Sequence, residues 1–173
     1  MASLQQDKIK LRPLDIKDVD RLTEIANNRK ISINLRDAFP NPYTKEDARS
    51  FIQLCYKQNT STIFAIEYEG IYVGNIGLEL GNDVYRKSAQ IGYFIDEAFW
   101  NKGIVTKAVK LLTKFGFENL NMERIHTGVF EFNLASQRVL EKCGYQKEGV
   151  FRKAVLKNGK LYDEIRYSKL KNE

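Results

Sequence analysis

The chain has 173 residues, 43% of them hydrophobic, which suits one domain with a substantial core. Its formal net charge of +6 is spread over lysines that alternate with Asp and Glu, so it reads as a solvated surface and nucleic acid is not an expected partner. At most the charge draws the protein toward acidic partners such as ribosomes or acidic polypeptides.

Residues Met1 to Asp7 lack the apolar run of a signal peptide, and no later segment stays apolar long enough to cross a bilayer. A cytoplasmic protein without membrane contact is expected. Lys8 to Arg12 reads as a first strand ended by Pro13. Asp15 can cap a helix whose apolar positions Val19, Leu22, Ile25 and Ala26 recur at helical spacing. Ile31 to Tyr43 is irregular, and Thr44 with Asp47 resembles a capping box opening a helix with Ala48, Phe51, Ile52 and Cys55 on one face.

Ser61 to Tyr68 and Ile71 to Leu80 read as strands joined at Glu69-Gly70, a tight hairpin signal. A strand from Ser88 to Ile95 precedes a helix from Gly103 to about Phe117, striped by Ile104, Ala108, Leu111, Leu112 and Phe115. Arg124 to Phe130 is a further strand, and Leu134 to Cys143 a short helix that Gly144 stops. Tyr145 to Leu156 and Leu161 to Lys169 close the chain as a hairpin across Asn158-Gly159. This order predicts an α+β fold, a mixed sheet covered by helices, in one domain over residues 1–173.

Cys55 and Cys143 fall on buried faces of separate helices and read as core thiols; no metal-ligand spacing exists, and no metal is expected. The single histidine, His126, lies in an apolar strand pattern and reads as a packed or edge side chain, which leaves a Ser-His-Asp or Cys-His mechanism without support.

Two strand-to-helix junctions carry chemistry. The first-turn amides of a helix lack partners inside it, and the dipole adds positive charge there. Asn101 to Thr106 therefore offers donors to a phosphate, Gly103 admits close approach, and Lys102 adds a point charge. At the second junction Asn133 caps a helix and Ser136 lies three residues on, a pattern that ordinary capping also explains.

The segment Asn133-Leu134-Ala135-Ser136, continuing to Glu141-Lys142-Cys143-Gly144-Tyr145, resembles the Asn-x-x-Ser…Glu-Lys-x-Gly-Phe/Tyr motif of the GNAT acetyltransferase superfamily. Trp100 to Thr106 resembles that superfamily's acetyl-CoA pyrophosphate loop, while Leu11-Arg12-Pro13-Leu14 and Asn158 to Asp163 resemble its RimJ/RimL-like branch. The resemblance implies a twisted, mostly antiparallel mixed sheet with a V-shaped gap between the strands around Tyr93 and Val129. Acetyl-CoA would be the co-substrate, its pantetheine bonded to the backbone of Tyr93, Phe94 and Ile95. Its pyrophosphate would sit on Lys102, Gly103, Ile104, Val105 and Thr106, and Asn133 would face the pantetheine arm. The reaction implied is direct attack of a neutral amine on the thioester, with a backbone amide near Phe94 as oxyanion donor.

Departures from the resembled pattern matter. Val105 stands where the loop usually has Gly or Ala and is expected to turn into the core. Gln90 and Gly128 occupy two positions where relatives carry a carboxylate base, so neither can serve. Glu79 is the remaining candidate base, because Asn75, Gly77 and Glu79 alternate against Ile76, Leu78 and Leu80; an exposed strand-end carboxylate is the other reading. Proton loss through water is a third route, since an N-terminal amine with a pKa of about 7.7–8.0 is already partly neutral. Leu140 stands where polyamine acetyltransferases keep a tyrosine, and Ser136 matches the serine that RimJ/RimL-like enzymes place near the thiolate.

Arg36, Asp37, Phe39 and Tyr43 fall where the superfamily places its acceptor loop, and packing is the default for Phe39 and Tyr43. The leading expectation is transfer to a protein or peptide α-amine. The alternatives are a small-molecule amine (amino acid, aminoglycoside or polyamine) and a catalytically weak acetyl-CoA-binding regulatory module. The expected partners are acetyl-CoA and the amine acceptor, with a homodimer as an allowed assembly.

Overall fold

A computed structural model describes residues 3–57 and 62–173. Among the described residues there are eight strands: β1 (Leu4–Gln6), β2 (Ile9–Arg12), β3 (Ile63–Tyr68), β4 (Ile71–Leu80), β5 (Ser88–Ile95), β6 (Arg124–Phe130), β7 (Gln146–Lys157) and β8 (Lys160–Leu170). Five α-helices accompany them: α1 (Val19–Ala26), α2 (Arg29–Ser32), α3 (Lys45–Lys57), α4 (Ile104–Glu118) and α5 (Leu134–Lys142). The strands hydrogen-bond in the order β1-β2-β3-β4-β5-β6-β8-β7. β5 and β6 run parallel, whereas β1–β2, β2–β3, β3–β4, β6–β8 and β7–β8 are antiparallel. The expected α+β class with a mixed, mostly antiparallel sheet is what the chain adopts. By compactness the chain divides into two units, Met1–Gly77 with Tyr93–Ala108, and Leu78–Gly92 with Val109–Glu173.

In the first unit the single expected strand Lys8 to Arg12 is a hairpin, with β1 turning into β2 at Asp7, whose φ of 52° makes the reversal. The β3–β4 turn uses left-handed Glu69 and Gly70 (φ 51° and 83°), as a two-residue hairpin demands. The expected start of β3 at Ser61 lies outside the described residues. Asp15 and Asp18 cap reciprocally over a single 3-10 turn, Ile16–Asp18, that leads into α1. Thr44 and Asp47 do the same for α3: Thr44 N donates to Asp47 Oδ2 at 2.8 Å, and Asp47 N to Thr44 Oγ1 at 3.1 Å. Leu22, Ile25, Ala48, Ile52, Cys55, Ala65 and Tyr72 bury together as the core. The stretch expected to be irregular from Ile31 contains the end of α2, which Asn28 caps through Lys30 N.

In the second unit β6 alternates cleanly, with Ile125, Thr127 and Val129 buried. Val109, Leu112, Leu140, Tyr145 and Tyr167 are buried too. Three buried hydroxyls are satisfied: Thr113 Oγ1 and Tyr145 OH lie 2.8 Å apart, and Tyr167 OH donates to Glu141 Oε1 at 3.0 Å. α5 ends as expected, with Tyr145 N donating to Leu140 O at 3.0 Å and Lys169 Nζ to Cys143 O at 2.8 Å. No helix among the described residues is long and apolar enough to cross a membrane.

Candidate active site

The first-unit part of the site is the passage from β5 into α4. Asp96 N donates to Val73 O at 2.8 Å, and the Asp96 side chain caps a 3-10 turn at Ala98 N (3.1 Å) while pairing with Arg21. Trp100 Nε1 donates to Ile95 O at 3.0 Å and pins the loop back onto the strand. Asn101 and Gly103 are both left-handed (φ 59° and 72°), which turns the chain so that α4 starts at Ile104. A Cβ at Gly103 would meet nothing within 4 Å, so the backbone there faces open space. Ile104 and Ala108 are buried, whereas Val105 and Thr106 are half-buried. Val105, expected to turn into the core, is half-buried one turn before the buried Val109 of the same helix.

Lys102 is exposed, its Nζ 4.8 Å from the centroid of the Phe99 ring. It lines a cavity of about 250 Å³ with Asp7, Lys8, Ile9, Tyr68, Ile104 and Lys107. Lys107 Nζ bonds Asp7 Oδ2 at 2.7 Å, and Lys8 pairs with Glu69. Three lysines against two carboxylates leave this end of α4 suited to an anion. Sequence reading found Lys102 and missed Lys8 and Lys107. Lys107 was legible as the residue one turn after Gly103; Lys8 needed the β1–β2 hairpin to bring it there.

Tyr93 and Phe94 are half-buried and Ile95 is buried. Phe39 stands edge-on to Phe94 (5.8 Å between centroids) and stacks on Tyr43 (4.8 Å), so the expected acceptor loop and the expected pantetheine strand meet through an aromatic row. Tyr43 is buried, and burial pushes its hydroxyl up to about 12. Its backbone is held by Asn27, with Tyr43 N donating to Oδ1 at 2.9 Å and Nδ2 donating to Tyr43 O at 2.7 Å. Arg36 and Asp37 are exposed.

The second-unit part holds Asn133, Ser136 and Glu79. Asn133 Oδ1 accepts from Ser136 N at 3.1 Å, so the asparagine caps α5 and Ser136 sits half-buried in its first turn. Leu140 is fully buried one turn on. Glu79 is exposed near the end of β4, and so is Leu80, which ends the expected alternation at Leu78. Gly128 has a neighbour that sequence reading could not see: a Cβ built on it would fall into the Glu164 carboxylate, with Oε2 at 2.9 Å. Glu164 accepts from Arg166 at 2.8 Å, so a held carboxylate fills the space that a side chain at 128 would claim.

The sequence profile of the Acetyltransferase (GNAT) domain family matches residues 8–146. YdaF of Bacillus subtilis (strain 168), provisionally named a ribosomal N-acetyltransferase, is 34% identical over 173 residues, 96% of this chain and 93% of YdaF. The spermidine N(1)-acetyltransferase of Escherichia coli (strain K12) is 27% identical, covering 91% of this chain and 83% of that one. YjcK of Bacillus subtilis is 51% identical over a shorter stretch of 73 residues, 42% of this chain and 40% of YjcK. The microcin C7 self-immunity acetyltransferase MccE, solved with acetyl-CoA and AMP, superposes with a TM-score of 0.81 at 28% identity over 95% of this chain and 93% of that one. The anion-ready start of α4, the Asn133-capped α5 and these relatives converge: the chain belongs to the GNAT acetyltransferase family and is an acetyl-CoA-dependent N-acetyltransferase of that type.

Proposed function

We propose that residues 1–173 work as one N-acetyltransferase domain and that its acceptor is the N-terminal α-amine of a protein or peptide, of the ribosomal-protein type. The observation that carries this reading is the pair Ser136 and Leu140. The hydroxyl lies in the first turn of α5, and the position where the resemblance puts a tyrosine in polyamine enzymes is a fully buried leucine. The 34% identity to YdaF against 27% to the spermidine enzyme points the same way. An α-amine also loses its proton more readily than a polyamine nitrogen resembling a lysine side chain, with pKa values of about 7.7–8.0 against about 10.4.

In this reading the backbone of Tyr93, Phe94 and Ile95 receives the pantetheine arm, and Lys102, Gly103, Ile104, Val105 and Thr106 receive the pyrophosphate. Asn133 faces the arm, Ser136 protonates or steadies the departing thiolate, and Glu79 stands on the proton-accepting side. Arg36 and Asp37 contact the acceptor at the loop surface, with Phe39 and Tyr43 holding that loop in place. The test is release of free thiol from acetyl-CoA across a series of peptides, spermidine and free amino acids. Peptide-dependent release is expected; release driven by spermidine or amino acids alone would overturn the acceptor assignment.

Two substitutions check the roles. Lys102→Glu should raise the KM for acetyl-CoA by about tenfold, the effect of about 1.4 kcal/mol in binding, and leave kcat within about twofold. A loss confined to kcat would contradict a phosphate-facing lysine. Ser136→Ala should lower kcat by about tenfold, the lower end of what a hydrogen bond to a charged group contributes, with the Kd for acetyl-CoA unchanged by calorimetry. An unchanged kcat removes Ser136 from the chemistry and leaves it a helix-start residue.

A further inference from the structure

β7 is the last strand of the sheet and hydrogen-bonds only to β8 among the described residues. Between Lys147 and Lys160 the β7–β8 hairpin carries five cationic residues and one carboxylate, Glu148. That carboxylate is already held by Arg124, whose Nη1 donates to Glu148 Oε1 at 2.6 Å. Lys157 is buried, whereas Lys147, Arg152, Lys153 and Lys160 are exposed. None of these four pairs with a carboxylate among the described residues. The same hairpin leaves Val150, Leu156 and Leu161 41%, 63% and 52% exposed. Register sets Lys147 opposite Tyr167, Val150 opposite Ile165 and Leu156 opposite Leu161. Leu161, Ile165 and Tyr167 lie on one side of β8, so Lys147 and the three apolar side chains share that face.

The ladder breaks where the charge is densest. β7 advances from Phe151 to Val155 while β8 advances only from Glu164 to Tyr162, so Arg152, Lys153 and Ala154 form a bulge on the outer strand. Lys153 takes a left-handed φ of 52°, uncommon for a lysine, and its N–H is held by Asp163 Oδ1 at 2.8 Å. The bulge is thus fixed, and it presents two cations at the edge. Bulges and lysines on an edge oppose the addition of a further strand. A second copy of the chain would set the same cations against each other, which costs stability. Nucleic acid suits the charge but leaves Val150, Leu156 and Leu161 uncovered. The exposed ring of Phe151 already carries the Arg166 guanidinium at 5.1 Å from its centroid, so that ring face is not open to a base.

We propose that this face of the hairpin docks an acidic segment of a partner protein. Its carboxylates meet Lys147, Arg152 and Lys153, and its apolar side chains cover Val150, Leu156 and Leu161. The charge selects the partner and speeds the encounter, while the apolar contact supplies the burial that holds it. Asp163, the carboxylate on the same face, is turned to the Lys153 amide and so does not cancel the bulge's charge from outside. The inference rests neither on acetyl transfer nor on which amine accepts the acetyl group.

Fluorescence anisotropy tests it with short labelled peptides of alternating glutamate and leucine, glutamate and serine, and lysine and leucine. The wild-type protein should bind the glutamate–leucine peptide, bind the glutamate–serine peptide about tenfold more weakly, and ignore the lysine–leucine peptide. Lys147→Gln combined with Arg152→Gln should weaken the first complex by about tenfold, and so should Leu156→Ser combined with Leu161→Ser. Both pairs should leave the Kd for acetyl-CoA within about twofold, which separates docking from the cofactor site. Absence of binding to the glutamate–leucine peptide, or binding that neither pair of substitutions weakens, would overturn the proposal. If a variant fails to fold, the three peptides on the wild type still decide. Vesicles containing phosphatidylserine and a single-stranded oligonucleotide complete the comparison. Tighter binding of either than of the glutamate–leucine peptide would overturn the assignment to an acidic protein segment.

Discussion

Arg12→Leu is expected to lower the free energy of unfolding by about 3–5 kcal/mol, the usual result of removing one partner from a buried ion pair. Asp18 is 3% exposed, and the Arg12 guanidinium grips both its oxygens, Nη1 to Oδ2 at 2.7 Å and Nη2 to Oδ1 at 2.8 Å. Arg12 Nε also donates to Glu67 Oε2 at 2.6 Å, and Nη1 to Pro13 O at 3.0 Å, so all three nitrogens of the fork are engaged. Hydrogen bonding to Asp18 foremost raises the guanidinium pKa further above its ordinary value. The same Asp18 accepts from Asp15 N at 2.8 Å and closes the turn that starts α1, so the stranded carboxylate would also loosen that helix's entry. Urea unfolding measures the loss. Arg12→Leu combined with Asp18→Asn should recover part of it, because the uncompensated charge is gone. A single-variant loss below about 1 kcal/mol would mean the pair behaves as an exposed one.

That pair also marks where sequence reading stops. In the sequence Arg12 belongs to a Leu11-Arg12-Pro13-Leu14 run that resembles the RimJ/RimL-like branch, and Asp15 reads as a helix cap. Local chemistry revealed the cap because its donors lie within three residues. The ion pair needed the burial of Asp18 and the β2–β3 register that brings Glu67 to the same guanidinium. The other features legible in advance were equally local: Thr44 with Asp47, the Glu69-Gly70 turn, the Ala48, Ile52, Cys55 face of α3 and the stop at Gly144. β1 escaped because three residues, Leu4–Gln6, are too few to show a period.

The site was legible in the same measure. The turn at Gly103 and the cap at Asn133 stand where their residue types demand. Glu164 over Gly128 is a contact across 36 positions that only strand register can reveal. The alternation of Asn75, Gly77 and Glu79 was sound in parity but not in burial, since Asn75 is buried and Glu79 exposed. A bulge explains a further contact. Register between β3 and β4 slips between Ile66 and Glu67, which makes Val73 the extra residue and puts Tyr72 on the face of Asn75, so that Tyr72 OH donates to Asn75 Oδ1 at 2.9 Å.

Gly74 follows that bulge directly, and Gly74→Ala is expected to be among the most damaging small substitutions in the chain. A Cβ there would sit 2.8 Å from Ile95 Cα and closer still to the Phe94 carbonyl oxygen. Both neighbours are backbone, so no rotamer change can relieve the overlap and β5 itself must shift. The expected cost is about 1–3 kcal/mol of stability, typical of forcing a methyl into a packed position. Function should suffer beyond stability, because the shifted residues are Phe94 and Ile95, the backbone proposed to receive pantetheine. A displacement of about 1 Å near a reacting group is enough to cost about 100-fold in rate. Gly92→Ala is the control, since its Cβ would meet nothing within 4 Å, and it should leave stability unchanged or slightly raised. Urea unfolding and calorimetric titration with acetyl-CoA, run on both variants, separate the two effects. If Gly74→Ala matches Gly92→Ala in both measurements, the close approach of the two strands at Gly74 is wrong. If it loses stability alone, Phe94 and Ile95 do not hold the thioester arm.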